Sequence, residues 1–316
     1  MEKFLKRTIW FIVMAVCLLV SVIYIPNYLV DKESKFYIQR SSKIVLFGHS
    51  HPECAFNDSL ISNFKNLSHS SEPYFYTYQK IKKVLSQNPQ IETVLIEYSN
   101  NQIDEKMNDW TWGYKYMSNM FPQYVSFMDK SDIDLLIENN PKDFMNCMSI
   151  STRKNLIRLF TWNYNFSDGL GGYLRIDKLR NATNDAAKEA VNNNTGNNST
   201  NISSVNIDYL QKIITYCHAQ HKKVFLVRSP LHKNYEYLKN EKDFTRIRNE
   251  KFSDIDFLDF NKFPLNDDDF ADYGHLNYKG ATKFSKWFNT MVDSGLLLNK
   301  NKQALIDKSL SESISM

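Results

Sequence analysis

The stretch Lys43-Ile44-Val45-Leu46-Phe47-Gly48-His49-Ser50-His51 decides how this chain is read. Its apolar, β-favouring run, ended by a glycine, predicts a short buried strand of the kind found inside parallel sheets. Ser50 then falls on the turn that leaves the strand, at the sheet edge where open α/β folds bind their ligands. Far downstream, Asp272-Tyr273-Gly274-His275 precedes a helix-like segment at 277–292. Serine, histidine and aspartate are the parts of a nucleophilic triad, which is assembled in space rather than in sequence. Ser50 is therefore read as nucleophile, His275 as its base and Asp272 as the group that orients the imidazole. A lone serine here would equally suit a helix N-cap. The Asp-x-x-His partner after the last strand tips the reading to acyl transfer.

Further strands are predicted at 64–67, 93–98, 223–227 and 255–260, with helices at 74–85, 207–220 and 277–292. Strands separated by helix-length segments predict a parallel five-stranded sheet with helices on both faces. The connection between the third and fourth strands, about 104–206, is too long for a simple crossover and reads as an insertion. Trp110, Trp112, Tyr114, Tyr116, Phe121 and Tyr124 make it aromatic-rich. Such clusters mostly form the cores of small subdomains, with stacking on sugar rings the alternative. Helical pieces follow at 133–138 and 151–160, then a low-complexity Asn/Ser/Thr/Gly segment, 181–206, expected to be flexible. The organisation is an anchor (1–30), an α/β domain (31–298) and a polar tail (299–316) expected to be disordered.

The anchor is read from Lys3, Lys6 and Arg7, followed by an apolar run from Thr8 to Ile25 that stops at Pro26. The run just suffices to cross a membrane as a helix. The basic flank predicts a cytoplasmic N-terminus and an exported remainder. No small-x-small cleavage site follows Ile25, which favours an uncleaved single-pass anchor in the cell membrane over a signal peptide. The net charge of +4 is spread along the chain and gives no support for nucleic-acid binding. Outside the anchor, Cys54, Cys147 and Cys217 are odd in number and lack metal-knuckle spacing, which argues against a disulfide framework.

Residues 44–58 and 272–281 resemble the GDSL/SGNH hydrolase superfamily, in which the serine follows the first strand and an Asp-x-x-His block near the C-terminus completes the triad. The resemblance implies a flavodoxin-like three-layer α/β/α sandwich with sheet order 2-1-3-4-5, and no metal or other cofactor. It also implies an oxyanion hole from the Ser50 N–H, a glycine in a second block and an asparagine in a third. Here the third block corresponds to 98–101, with Asn100 preferred over Asn101. The second corresponds to 66–71 and has no glycine, leaving the N–H of Ser68 or Ser70. His49 and His51 depart from the family's aspartate and leucine. Together with His232, on the loop after the fourth strand, they are read as substrate-pocket groups. A rival reading makes His49, His51, Asp272 and His275 a hydrolytic metal site. The chain looks most like the membrane-anchored, exported branch of the superfamily. That implies acetyl or other small acyl esters of a cell-envelope glycan as substrate, water or a sugar hydroxyl as acceptor, and envelope-assembly partners. A catalytically silent, glycan-binding accessory protein is the alternative.

Overall fold

The structure, a computed structural model, describes residues 1–179 and 201–314, so most of the low-complexity segment lies outside the described residues. One five-stranded sheet is built from β1 (Ile44–Phe47), β2 (Phe64–Asn66), β3 (Thr93–Glu97), β4 (Lys223–Arg228) and β5 (Asp256–Asp259). The strand order is β2-β1-β3-β4-β5, and every neighbouring pair is parallel. The helices are α1 (Glu2–Glu33), α2 (Ser50–Ala55), α3 (Tyr74–Gln87), α4 (Lys106–Trp112), α5 (Tyr114–Tyr124) and α6 (Lys130–Asn139). They continue with α7 (Pro141–Thr161), α8 (Ser204–Ala219), α9 (Glu241–Lys251), α10 (Tyr278–Asp293) and α11 (Lys302–Ile314). Contacts divide the chain into two compact units, residues 1–36 with 111–167, and residues 37–110 with 168–316.

In the first unit, α1 has a mean hydropathy of 2.7 over its most apolar window, none of it buried, and is long and apolar enough to cross a membrane. The helix does not stop at Pro26 but runs on to Glu33. Proline removes one N–H from the ladder, and Asn27 Nδ2 reinforces the same turn by donating to Ile23 O at 2.8 Å. The polar stretch from Asp31 to Arg40, whose composition suggests a short tether, is likewise tied down. Phe36 is buried between Phe166 and Phe127, with ring centroids 5.0 and 5.2 Å away. Asn27 Oδ1 accepts from Ser126 Oγ and from Asn155 Nδ2 on α7, both at 2.9 Å. α7 starts at Pro141, earlier than apolar spacing suggested, because Asn140 caps it and proline suits its first turn.

In the second unit the parallel sheet places the carboxyl ends of β1, β3 and β4 along one edge. Val45, Leu46, Phe47 and all of β3 are buried, so these strands read as continuous rather than alternating apolar runs. Asn66 Nδ2 ties α2 to β2 by donating to Pro52 O and Phe56 O, both at 2.9 Å. Asn277 Oδ1 caps α10 by accepting from Lys279 N and Gly280 N. The end of the low-complexity segment is ordered: Ser203 Oγ accepts from Asn206 N at 3.1 Å and starts α8 at Ser204. The tail expected to be disordered is also helical from Lys302 to Ile314. Ile306 and Leu310, one turn apart, bury themselves in the cluster of Phe260, Phe284 and Phe288, and that i, i+4 pair outweighs the polar composition around it.

Candidate active site

Three carboxyl-edge turns and the loop before α10 meet around Ser50. Gly48 sits so close to β3 that a Cβ there would lie 2.6 Å from the Glu97 side chain and from Pro52, so only glycine fits. The next N–H, of His49, donates to Glu97 Oε2 at 2.8 Å and fixes the turn. Ser50 is the first residue of α2, a position whose N–H has no acceptor within its own helix. Its Oγ lies 2.7 Å from His275 Nε2, and His275 Nδ1 lies 2.8 Å from Asp272 Oδ1. A carboxylate can only accept, so Nδ1 carries the proton, and Nε2 is left to accept from the serine hydroxyl. Asp272 Oδ1 also accepts from Gly274 N at 2.9 Å and His275 N at 3.0 Å. Burial alone would raise this carboxyl, but hydrogen bonds and charge from His275, with the two N–H groups, outweigh it and hold it at about 2.

Beneath the serine lies a buried polar cluster. Glu97 Oε1 is 3.3 Å from both His49 Nε2 and His51 Nδ1, and it accepts from Ser99 Oγ at 2.9 Å. The Asn101 carboxamide lies against His49 Nε2, its nitrogen at 2.8 Å and its oxygen at 3.0 Å. Burial lowers His49 to about 4, with Glu97 opposing and His51 assisting. Burial, then the neighbouring His275, takes His51 well below its ordinary value, and burial raises Glu97. The two imidazoles are therefore neutral at pH 7. Trp110 packs edge-on to His49 at 5.7 Å, and Tyr235 to His51 at 5.2 Å, walling the cluster on two sides.

The other residues expected at the site are placed differently. Asn100 is buried and turned toward the carboxyl end of β4, where its Oδ1 accepts from Arg228 Nη1 at 3.0 Å and its Nδ2 donates to Asn240 and Glu241. Its neighbour Asn101 is the asparagine that reaches the Ser50 turn, because successive residues leaving β3 point opposite ways. Ser68 spends its N–H on Asn66 Oδ1 at 3.0 Å, so that donor is committed. Gly171, at φ +100, packs on Ser68 O, and Gly172 N donates to that oxygen at 3.0 Å, so this N–H is committed as well. His232 does not face the serine. Its Nε2 meets Asp267 Oδ1 at 3.2 Å, its Nδ1 accepts from Asn234 N, and its own N–H donates to Tyr273 O, so it braces the loop that carries Asp272 and His275. His49 and His51 are buried supports of the turn rather than an open pocket lining.

Among the described residues the four-residue metal set is not brought together, since Asp272 is bonded to His275, and His275 to Ser50. The atoms that do converge are His49 Nε2, His51 Nδ1 and a Glu97 oxygen, all within 4.8 Å of one another. His49 Nδ1 accepts from His51 N at 3.3 Å, which leaves the proton on Nε2, the nitrogen that faces Glu97 and Asn101. His49 is held there by hydrogen bonds, while His51 Nδ1 approaches Glu97 at 3.3 Å without a hydrogen-bond partner. Glu97 was not singled out in the sequence, although a carboxylate in an otherwise apolar buried strand requires a partner and was the signal available. All four cysteines are free thiols.

A sequence model of a family of uncharacterised proteins matches residues 176–297, a segment that includes β4, β5 and the Asp272–His275 loop. No curated protein matches the chain.

Proposed function

We propose that this chain is a membrane-anchored, exported serine-dependent ester hydrolase or O-acyltransferase of SGNH type, with a flavodoxin-like three-layer domain, acting on small acyl esters of a cell-envelope glycan. The observation that carries this reading is the unbroken relay from Asp272 through His275 to Ser50 Oγ, at 2.8 and 2.7 Å. Ser50 Oγ attacks the ester carbonyl while His275 Nε2 takes its proton, and Asp272 stabilises the imidazolium that forms. His275 then returns the proton to the departing alkoxide, leaving an acyl group on Ser50. Water or a sugar hydroxyl repeats the sequence in reverse, with His275 again as base. The tetrahedral oxygen draws on the Ser50 N–H, while the Asn101 amide supports the turn through His49. No cofactor enters this cycle.

The commitment of the Ser68 N–H favours a second reading, a glycan-binding accessory protein that keeps the fold without turnover. One experiment separates the two. The full chain in detergent is treated with a fluorophosphonate probe, and the labelled peptide is mapped. Stoichiometric adduct on Ser50, lost in His275→Ala, supports catalysis. No adduct on a folded protein removes it.

A further inference from the structure

Beneath Ser50, three side chains of metal-ligand type close on one point. His49 and His51 flank the serine at the start of α2, and Glu97 ends β3, the strand beside β1. Their facing atoms, His49 Nε2, His51 Nδ1 and a Glu97 oxygen, belong to side chains no more than 3% exposed. Hydrogen bonding accounts for two of the three. Glu97 Oε1 accepts from Ser99 Oγ, and His49 Nε2 meets the Asn101 carboxamide. His51 Nδ1 has no hydrogen-bond partner among the described residues. A buried polar atom left in that state costs about 1–3 kcal/mol, and an ion is one of the few things that relieve it.

The spacing says what fits. Glu97 Oε1 lies 3.3 Å from each imidazole nitrogen. Around a tetrahedral zinc ion, bonds of about 2.0–2.1 Å put neighbouring ligand atoms about 3.3–3.4 Å apart, whereas octahedral coordination at that length brings them to about 2.8–3.0 Å. The third edge, between the two nitrogens, is at most 4.8 Å, and the His51 ring can turn to set it because its Nδ1 has no hydrogen bond to lose. Burial keeps both imidazoles neutral, the form that binds metal. The carboxylate is already oriented from behind, since Glu97 Oε2 accepts from His49 N at 2.8 Å. Binding moves the His49 proton from Nε2 to Nδ1, within the same ring, so no proton is lost. Nδ1 then gives up its 3.3 Å contact with His51 N and donates to Ser50 Oγ, 3.4 Å away, while the serine hydroxyl still donates to His275.

We propose that His49 Nε2, His51 Nδ1 and Glu97 Oε1 form a tetrahedral site for a divalent cation of the zinc type, in the floor of the Ser50 turn. The Asn101 oxygen, 3.0 Å from His49 Nε2, stands beside the fourth position. The ion braces the turn and takes no part in acyl transfer, so the inference does not rest on the serine chemistry.

The test uses the full, untagged chain in detergent, stripped with a chelator, dialysed at length against zinc and then against metal-free buffer. One zinc per chain is expected to remain in the wild type and in the control His218→Gln, whose histidine is exposed on α8. His51→Gln and Glu97→Gln should each lose zinc affinity beyond the roughly tenfold to hundredfold that follows removal of a group behind a ligand. X-ray absorption at the zinc edge of the wild-type chain reads the ligands directly and needs no variant to fold. Two imidazoles, oxygen for the remainder and no sulfur are expected. A folded wild-type chain that keeps no zinc overturns the proposal. So does unchanged retention in both folded variants, and so does sulfur around the zinc, which assigns the metal to a buried thiol instead.

Discussion

Arg228 Nη1 donates to Asn100 Oδ1 at 3.0 Å, and this bond divides the work between two adjacent asparagines. Asn100 closes a buried network with Arg228, Asn240 and Glu241, while Asn101 turns back to His49 beside the nucleophile. The two alanine variants are therefore expected to fail differently. Asn100→Ala leaves buried polar partners unmatched and is expected to cost about 1–3 kcal/mol in urea unfolding, with turnover per folded molecule retained. Asn101→Ala is expected to lower kcat on a small acetyl ester by about a hundredfold, the scale of a lost oxyanion donor or its support. Equal stability loss with equal activity in both variants would count against this division.

The relay through His275 makes a sharper demand. In Asp272→Asn the amide can donate to Nδ1, which favours the tautomer whose Nε2 carries the proton and cannot accept from Ser50. A loss of about 10⁴ in kcat is expected, on the scale known for triad aspartates. Ser50→Ala combined with Asp272→Asn should be no slower than Ser50→Ala alone, because residues acting as one unit are not additive. Steady-state hydrolysis of a chromogenic acetate measures both. Independent, multiplicative losses would dissolve the unit.

β1, β3 and β4 were legible because each is a short apolar run with a polar or glycine stop, and the carboxyl ends of β1 and β3 brought Gly48–Ser50 and Tyr98–Asn101 to one edge without further information. The Ser50, Asp272 and His275 relay was legible for the same reason, since its parts sit at the ends of predicted elements. What was hidden depends on side-chain direction. Periodicity cannot tell which of Asn100 and Asn101 faces Ser50, nor that Ser68 would spend its N–H on Asn66. Gly171 and Gly172 reach Ser68 from a part of the chain with no local reason to be there. The tail was misjudged from composition, although Ile306 and Leu310 alone supply an apolar face.

The buried imidazoles fix how stability changes with pH. His49 is held at about 4 in the folded chain, and an unfolded histidine titrates at about 6.5. Below pH 6.5 the unfolded state binds a proton that folded His49 refuses, so stability falls as pH drops through the window from 6.5 to 4. The full effect is about 3 kcal/mol, and His51, shifted the same way, adds to it. Glu97 acts in the opposite sense. Its raised carboxyl takes up a proton in the folded state first, and that contribution is lost as pH rises above the ordinary carboxylate range. Thermal unfolding from pH 7 to 4 should therefore show a steep acid-side loss that becomes shallower in His51→Gln. An unchanged slope in that variant would mean His51 is not held neutral in the folded chain.

Gly274 lies between the two loop members of the relay, and its N–H holds Asp272 Oδ1 at 2.9 Å. A methyl group at this position would meet Tyr235 Cε2 at 3.1 Å and His51 Nε2 at 3.3 Å, tighter than ordinary contact. Both neighbours are side chains, and His51 in turn packs against the His275 ring at 5.5 Å. Gly274→Ala is thus expected to fold but to push the relay out of line. Small misplacements of reacting groups cost about tenfold to a hundredfold in rate, so kcat/KM should fall within that range. Removing the obstruction supplies the check. In Gly274→Ala combined with Tyr235→Ala, the ring that the methyl meets is gone, and part of the activity lost in the single Gly274 variant should return, as a coupling energy between the two sites. Strict additivity of the two losses would show that Tyr235 does not press on the catalytic loop, and that the Gly274 effect comes from the backbone alone.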